Sequence, residues 1–158
     1  MTWERGRSEI ERLLADGELE RVASSTPVAA RLLDDARAHI RLASKGVDDD
    51  PAGALQLAYD AARKACAALL AVQGLRATTR GGHIAVIDSV KAQFNDRSGL
   101  EVFGRLHALR RRRNRTEYPD LDSPGIDPDD ARQALDTARA VIDAADRLLD
   151  SARLSTFE

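Results

Sequence analysis

Residues 51–74 read PAGALQLAYDAARKACAALLAVQG. Proline is well placed in the first turn of a helix, where its missing N–H costs nothing, and Gly74 supplies a stop. Between them Leu55, Tyr59, Ala62, Cys66, Leu69 and Leu70 recur at spacings of three and four, the period of one helix face. The acidic run Asp48–Asp50 lies just before the proline, at the positive end of the helix dipole. The stretch therefore reads as one long helix. Gln56, Asp60, Arg63, Lys64 and Gln73 interrupt its apolar character, so neither it nor any other segment has the roughly 18 unbroken apolar residues of a bilayer span, and no membrane partner is expected.

The same punctuation extends outward. Thr26-Pro27 is a cap followed by a first-turn proline, and Val28, Leu32, Leu33, Ala36, Ile40 and Ala43 form a stripe that ends at Gly46. Residues 76–82 read as a loop, and a shorter helix follows from His83 to Phe94 with Ile84, Ile87, Val90 and Phe94 at core spacing. Ser98-Gly99-Leu100-Glu101 matches a capping box and predicts a helix through Val102, Phe103, Leu106 and Leu109, ending near Tyr118 because Pro119 disfavours α geometry before it. Asp127-Pro128 caps a last helix with Ala131, Leu135, Ala138, Val141, Ile142, Ala145, Leu148 and Leu149 facing inward. A short helix from Trp3 to Ala15, with Ile10, Leu13 and Leu14 on one side, precedes a break at Gly17. The expectation is an all-α fold: an up-and-down bundle of four long helices plus a short one, with an N-terminal helical extension. Its divisions are 1–25 for the extension, 26–153 for the bundle and 154–158 for a C-terminal tail.

The chain has 158 residues, 43% hydrophobic and 32% charged, with five prolines, which fits one folded domain and excludes a disordered or disulfide-stapled chain. Cys66 is the one cysteine, and no apolar run follows the N-terminal charges, so a cytoplasmic protein is expected. The net charge of −2 argues against coating nucleic acid by bulk charge, yet the distribution is uneven. Residues 105–115 hold six arginines and His107 with no acid, whereas residues 122–150 hold eight aspartates against three arginines. The first of these blocks creates a local positive field.

That block sits in LHALRRRRNRTEYPD, residues 106–120. At about 100° per residue, Val102, Phe103 and Leu109 fall within about 60° of Leu106, and so do Arg110, Arg113 and Glu117, with Asn114 slightly outside. The apolar stripe thus turns polar toward the helix end. Arg105, Ala108, Arg111, Arg112 and Arg115 lie on the opposite, solvated half. Burying a guanidinium and an amide without partners costs several kcal/mol, so something must satisfy Arg113 and Asn114. One reading is an Arg113–Glu117 ion pair closing the bundle end. The other is a groove, between helices or between two subunits, in which Arg113, Asn114 and Tyr118 address a phosphate, since the planar guanidinium offers two parallel donors. Tyr118, about 120° from Leu106, reaches such a groove when the helix end bends or a second subunit approaches.

At these residues the chain resembles the HEPN family of small helical bundles, found in toxin–antitoxin, antiphage and RNA-processing systems. The resemblance runs in helix order from Pro27 to Leu149 and includes Tyr59-Asp60-Ala61-Ala62-Arg63-Lys64. Members typically carry Arg-polar-x-x-x-His near the end of a bundle helix, and many are metal-independent ribonucleases whose paired motifs meet across a dimer. Here Arg113-Asn114-Arg115-Thr116-Glu117-Tyr118 keeps the arginine and the polar residue and places Tyr118 where the histidine is expected. The resemblance implies RNA or nucleotide binding, a homodimer, and catalytic roles for Arg113 and Tyr118. Asn114, Arg110, Glu117 and His107 are the expected substrate-binding residues. It also implies an antitoxin or nucleotidyltransferase partner, with Tyr118 as a modification target. The alternative is a non-catalytic dimerisation or partner-binding module.

Proton transfer sharpens that choice. Histidine titrates near ~6.5 and suits the 2′-hydroxyl and leaving-oxygen steps of RNA cleavage, whereas tyrosine, near ~10, is better at donating a hydrogen bond or stacking on a base. His107 lies about 100° from Leu106, beside the apolar stripe. His83, next to Gly81-Gly82, is placed to approach the same groove, and His39 sits mid-helix. Neither metal nor cofactor is expected, because the three histidines and the core-facing Cys66 lack metal-ligand spacing, and Gly81-Gly82 lacks a P-loop lysine.

Overall fold

The computed structural model describes residues 5–122, 124–151 and 154–158. In chain order it contains α1 (Arg7–Ala15), β1 (Leu19–Arg21), α2 (Thr26–Gly46), α3 (Pro51–Val72), β2 (Leu75–Ala77), α4 (Gly82–Phe94), a 3-10 helix (Glu101–Arg105), α5 (Leu106–Glu117) and α6 (Pro128–Asp150). The fold is all-α apart from one small two-stranded antiparallel ribbon, β1 with β2. The expected helix start at Trp3 and the expected bundle boundary at 153 lie outside the described residues.

Alanine explains the position of α3. Ala54, Ala58, Ala61, Ala62, Ala65 and Ala68 are at most 3% exposed, so this helix is buried around its circumference and not only along the Leu55–Leu70 stripe. Small side chains let α2, α6, α4 and α5 all pack against it. A helix apolar on every side belongs at the centre of a bundle. Asp50 caps it by accepting a hydrogen bond from the Gly53 N–H at 2.9 Å. α6 follows its predicted pattern closely: Asp127 and Asp130 form a reciprocal capping box, and Ala131, Leu135, Ala138, Val141, Ile142, Ala145 and Leu148 are buried.

Four expectations need correction. The cap of α2 is Ser25, whose hydroxyl accepts from the Val28 N–H at 3.2 Å, with Thr26 already helical. Val28 and Ile84, expected in the core stripes of α2 and α4, are about half exposed, at 51% and 47%. Ser98 does not cap a helix. Gly99 adopts φ +83°, its N–H donates to Glu101 Oε1, and the chain then makes a 3-10 turn before α5 begins at Leu106. Finally, part of the expected loop at 76–82 is a strand: Leu19, Glu20 and Arg21 pair antiparallel with Ala77, Arg76 and Leu75. Three-residue strands are too short to show alternation in the sequence.

Phe157, next to the C-terminus, packs beside this ribbon and α1. Phe157 is 4% exposed, and the guanidinium carbons of Arg7 and Arg21 lie 5.0 and 4.9 Å from its ring centroid, within cation–π range. Its N–H donates to the Gln73 carbonyl at 2.9 Å, while the buried amides of Gln73 and Gln93 bond each other reciprocally at 2.6 and 3.1 Å. Each buried amide thus has a partner, as burial requires.

Candidate functional site

α5 carries the transition that its sequence predicts. Leu106 and Leu109 are buried, whereas Arg110, Arg113 and Asn114, one to two turns on, are only half-buried. The helix ends at Tyr118 (φ −125°, ψ 71°), immediately before Pro119. Gln56 of α3 fastens this end by donating to Thr116 Oγ1 at 2.8 Å, and Thr116 donates in turn to the Arg113 carbonyl at 2.6 Å.

Arg113 leans across α3. Its guanidinium carbon lies 5.8 Å from the centroid of the Tyr59 ring, and its Nη2 is 2.9 Å from Glu117 Oε1. The ion pair of the first reading therefore exists, but it leaves the Arg113 Nε buried with no hydrogen-bond partner. Arg110 Nε and Arg63 Nε share that condition. Each unsatisfied buried donor costs about 1–3 kcal/mol. Arg63, on α3 four residues after Tyr59, has Asp60 as its ion-pair partner, at 3.6 Å. Three guanidinium groups are thus offset by two carboxylates, Asp60 and Glu117.

Tyr59 and His83 form the floor. Tyr59 is fully buried, its Oη is 3.1 Å from His83 Nδ1, and the two ring centroids are 5.6 Å apart. Burial pushes the Tyr59 phenol up to about 12, against the opposing pull of the Arg63, Arg110 and Arg113 charges. The phenol consequently keeps its proton at neutral pH, and as a hydroxyl it can serve His83 Nδ1 as donor or as acceptor, according to the imidazole tautomer. His83 is held below the usual histidine range, by burial first and then by the charges of Arg63 and Arg113. A neutral imidazole beside three cations is able to take up a proton when an anion arrives to offset them.

The approach of His83 to Tyr59 depends on the loop before α4. Thr78 Oγ1 donates to the Gly17 carbonyl at 2.6 Å and accepts from the Gly81 N–H at 3.1 Å, while the Thr78 N–H donates to the Glu18 carbonyl at 3.0 Å. A side chain at Gly81 would collide with the Glu18 carbonyl oxygen. Glycine is needed here for space, since its φ of −73° is ordinary.

The expected residues are distributed unevenly around this cluster. Arg110 and Arg113 belong to it, Glu117 joins through Arg113, and Asn114 is half-buried beside them. His107 turns to α4 instead, where its Nε2 lies 2.7 Å from Asp88 Oδ1. Tyr118 is 76% exposed and lines a separate hollow of about 310 Å³ with Ala52, Thr116, Pro119 and Ile126. Tyr59 and Arg63 are the members that the sequence did not single out. The available signal was Arg63 at i+4 from a core tyrosine, on a helix face where a cation needs a reason. His39 contacts Lys64 Nζ at 2.8 Å, away from the cluster, and Cys66 is buried with its thiol pushed up to about 12. Among the described residues no three metal-ligating side chains gather, and no helix is long and apolar enough to cross a membrane.

A family model for the HEPN domain matches residues 29–148, most of the chain. The chain belongs to the HEPN domain family. The HEPN match opens within α2 and closes within α6, so it encloses Tyr59, Arg63, His83, Arg110, Arg113 and Tyr118. α1 and β1 lie outside the matched HEPN region, yet Gly17 and Glu18 between them brace the loop that carries His83. No curated protein and no solved structure matches the chain.

Proposed function

We propose that this HEPN domain binds RNA or a nucleotide through a phosphate received by Arg63, Arg110 and Arg113 above the Tyr59–His83 pair. The observation that carries this reading is the convergence of three arginines whose Nε–H groups are buried without acceptors. A phosphate offers several acceptor oxygens, and guanidinium–phosphate bonds are among the stronger, charge-assisted kind. Glu117 acts as the counter-ion that Arg113 gives up, in part, when a phosphate enters. Asn114 supplies an amide at the rim, and the exposed Arg105, Arg111 and Arg115 extend the positive field along the same helix.

His83 favours a second step, metal-independent cleavage of the bound RNA. In the tautomer whose Nδ1–H donates to Tyr59 Oη, the Nε2 of the neutral ring is free to take the 2′-hydroxyl proton as that oxygen attacks phosphorus, while the arginines hold the charge that develops on the phosphate. The bond from phosphorus to the 5′-oxygen then breaks, that oxygen takes a proton from water to become a 5′-hydroxyl, and a 2′,3′-cyclic phosphate remains. In this reading His83 fills the place left by Tyr118 at the motif position. Tyr118, exposed at the helix end, stacks on a base or accepts modification by a nucleotidyltransferase partner, and a homodimer brings it toward the groove of the second subunit. The setting would be a toxin–antitoxin or defence system, with an antitoxin as the restraining partner. The alternative, a non-catalytic dimerisation or partner-binding module, has binding without turnover.

Single-stranded RNA titrated at several salt concentrations tests the reading. Affinity should fall as salt rises, by about 0.7 in log–log slope for each phosphate neutralised, and Arg113→Ala should weaken binding at least tenfold. Cleavage in the presence of EDTA that disappears in His83→Gln supports the ribonuclease. Salt-independent binding, or equal binding by Arg113→Ala, overturns the phosphate site.

A further inference from the structure

A groove of about 540 Å³ runs between the start of α2, α3, β2 and α4, with Arg63 but not Tyr59 in its lining. Its walls are aliphatic: Val28 and Leu32 from α2, Ala67 and Leu70 from α3, Leu75 from β2 and Val86 from α4. Two features keep it open. Ala67 puts only a methyl group at its floor, and Val28, whose sequence position predicts a core residue, stands half-exposed at the edge. Pockets of ~300–1,000 Å³ with apolar walls and few polar groups are the usual form of small-molecule sites.

The polar group here is Arg63. It lines the groove, its Nε is buried with no acceptor, and its nearest carboxylate, Asp60, sits 3.6 Å from a different nitrogen. The other arginine of the lining, Arg76, is already engaged, donating to Glu20 from both Nε and Nη2 at 2.9 and 2.6 Å. A guanidinium among aliphatic walls, its charge met among the described residues only by Asp60 at 3.6 Å, defines the complement of the groove: a single anionic head on an aliphatic body. No aromatic side chain lines the trough, so a nucleobase would find nothing to stack on.

We propose that this groove binds an aliphatic monocarboxylate, its carboxylate on the Arg63 guanidinium and its chain along Ala67, Leu70, Leu32 and Val28. The carboxylate supplies the acceptor that Arg63 Nε lacks, and the chain removes the exposed Val28 and Leu32 surface from water. The site shares Arg63 with the phosphate reading but uses neither Arg110 nor Arg113, so loss of the phosphate site through Arg113 leaves it standing.

Calorimetric titration with decanoate, alongside decanol as the uncharged probe, tests this. Decanoate should bind at least tenfold more tightly than decanol, and Arg63→Gln should remove that advantage. Ala67→Phe, which fills the floor, should abolish binding of both. Val28→Asp, half-exposed and therefore tolerated by the fold, should weaken decanoate several-fold by placing a like charge beside its path. Arg113→Ala should leave decanoate binding unchanged, which separates failure here from failure of the phosphate site. Equal affinity for the two probes, no effect of Arg63→Gln, or no binding at millimolar decanoate overturns the proposal. So does a wild-type dimer that Val28→Asp dissociates and decanoate does not, because a second copy would then be the occupant. Tighter binding of a peptide ending in an aliphatic residue, displacing decanoate, would likewise overturn it in favour of a protein partner.

Discussion

Arg113 has two relationships at once, a salt bridge to Glu117 and a cation–π contact with Tyr59, and neither uses its Nε. The ion pair of the first sequence reading is present and leaves Nε unused, the donor on which the proposed phosphate site draws. His83 carries the pH dependence at this scale. Burial depresses it, and also depresses His39, so below the unfolded value of about 6.5 the unfolded chain binds protons that the folded chain resists. The stability that the neutral histidines contribute is fully present above that pH and is lost as pH falls below it. Urea midpoints should accordingly decline between pH 7.5 and 5.5, and the double variant His39→Gln/His83→Gln should show a flatter decline over the same window. A midpoint that rises on acidification in this range would contradict the assignment.

Among the elements, those with strong punctuation were legible and those governed by long-range contacts were not. α6 was readable because a proline, two aspartates and an unbroken apolar period agree on its start and its inner face. α3 was readable as a helix but not as the centre of the bundle, because alanine is neutral in periodicity and declares its burial only when four neighbours close around it. The strand pair was hidden for another reason: each strand has a single buried residue, Leu19 or Leu75, and the pairing joins segments more than fifty positions apart. That strand pair brings Glu18 against Gly81, and Gly81→Ala tests the consequence. The added methyl meets the Glu18 carbonyl and comes within 2.7 Å of Ala85 Cβ, an overpacking that should cost about 1–3 kcal/mol by chemical denaturation. It should also shift the His83 ring resonances by moving that ring against Tyr59. Unchanged stability and unchanged resonances would show that the loop does not set the histidine.

At the scale of the whole molecule, the chain ends and the cluster show what a sequence conveys about a site. Arg110, Arg113 and Glu117 were found because helix geometry alone places them on the packing side of α5. Tyr59 and Arg63 were not, because their membership depends on how α3 faces α5, and Tyr118 was drawn in by its motif position although the structure leaves it in solvent. Phe157 joins α1, β1 and the end of α3, so Phe157→Ala should lower stability by about 3 kcal/mol and accelerate amide exchange in α1 more than in α6. Equal acceleration in both would mean that the C-terminus does not hold the N-terminal elements in place. The central claim is that three arginines with unmet Nε–H groups await a phosphate, and the ¹⁵N resonances of those groups report it directly. Titration with a short single-stranded RNA should shift the Nε–H signals of Arg63, Arg110 and Arg113 together, along one saturating curve, while the exposed Arg31 stays put. Small shifts spread evenly over all surface arginines, with those three unmoved, would contradict the account.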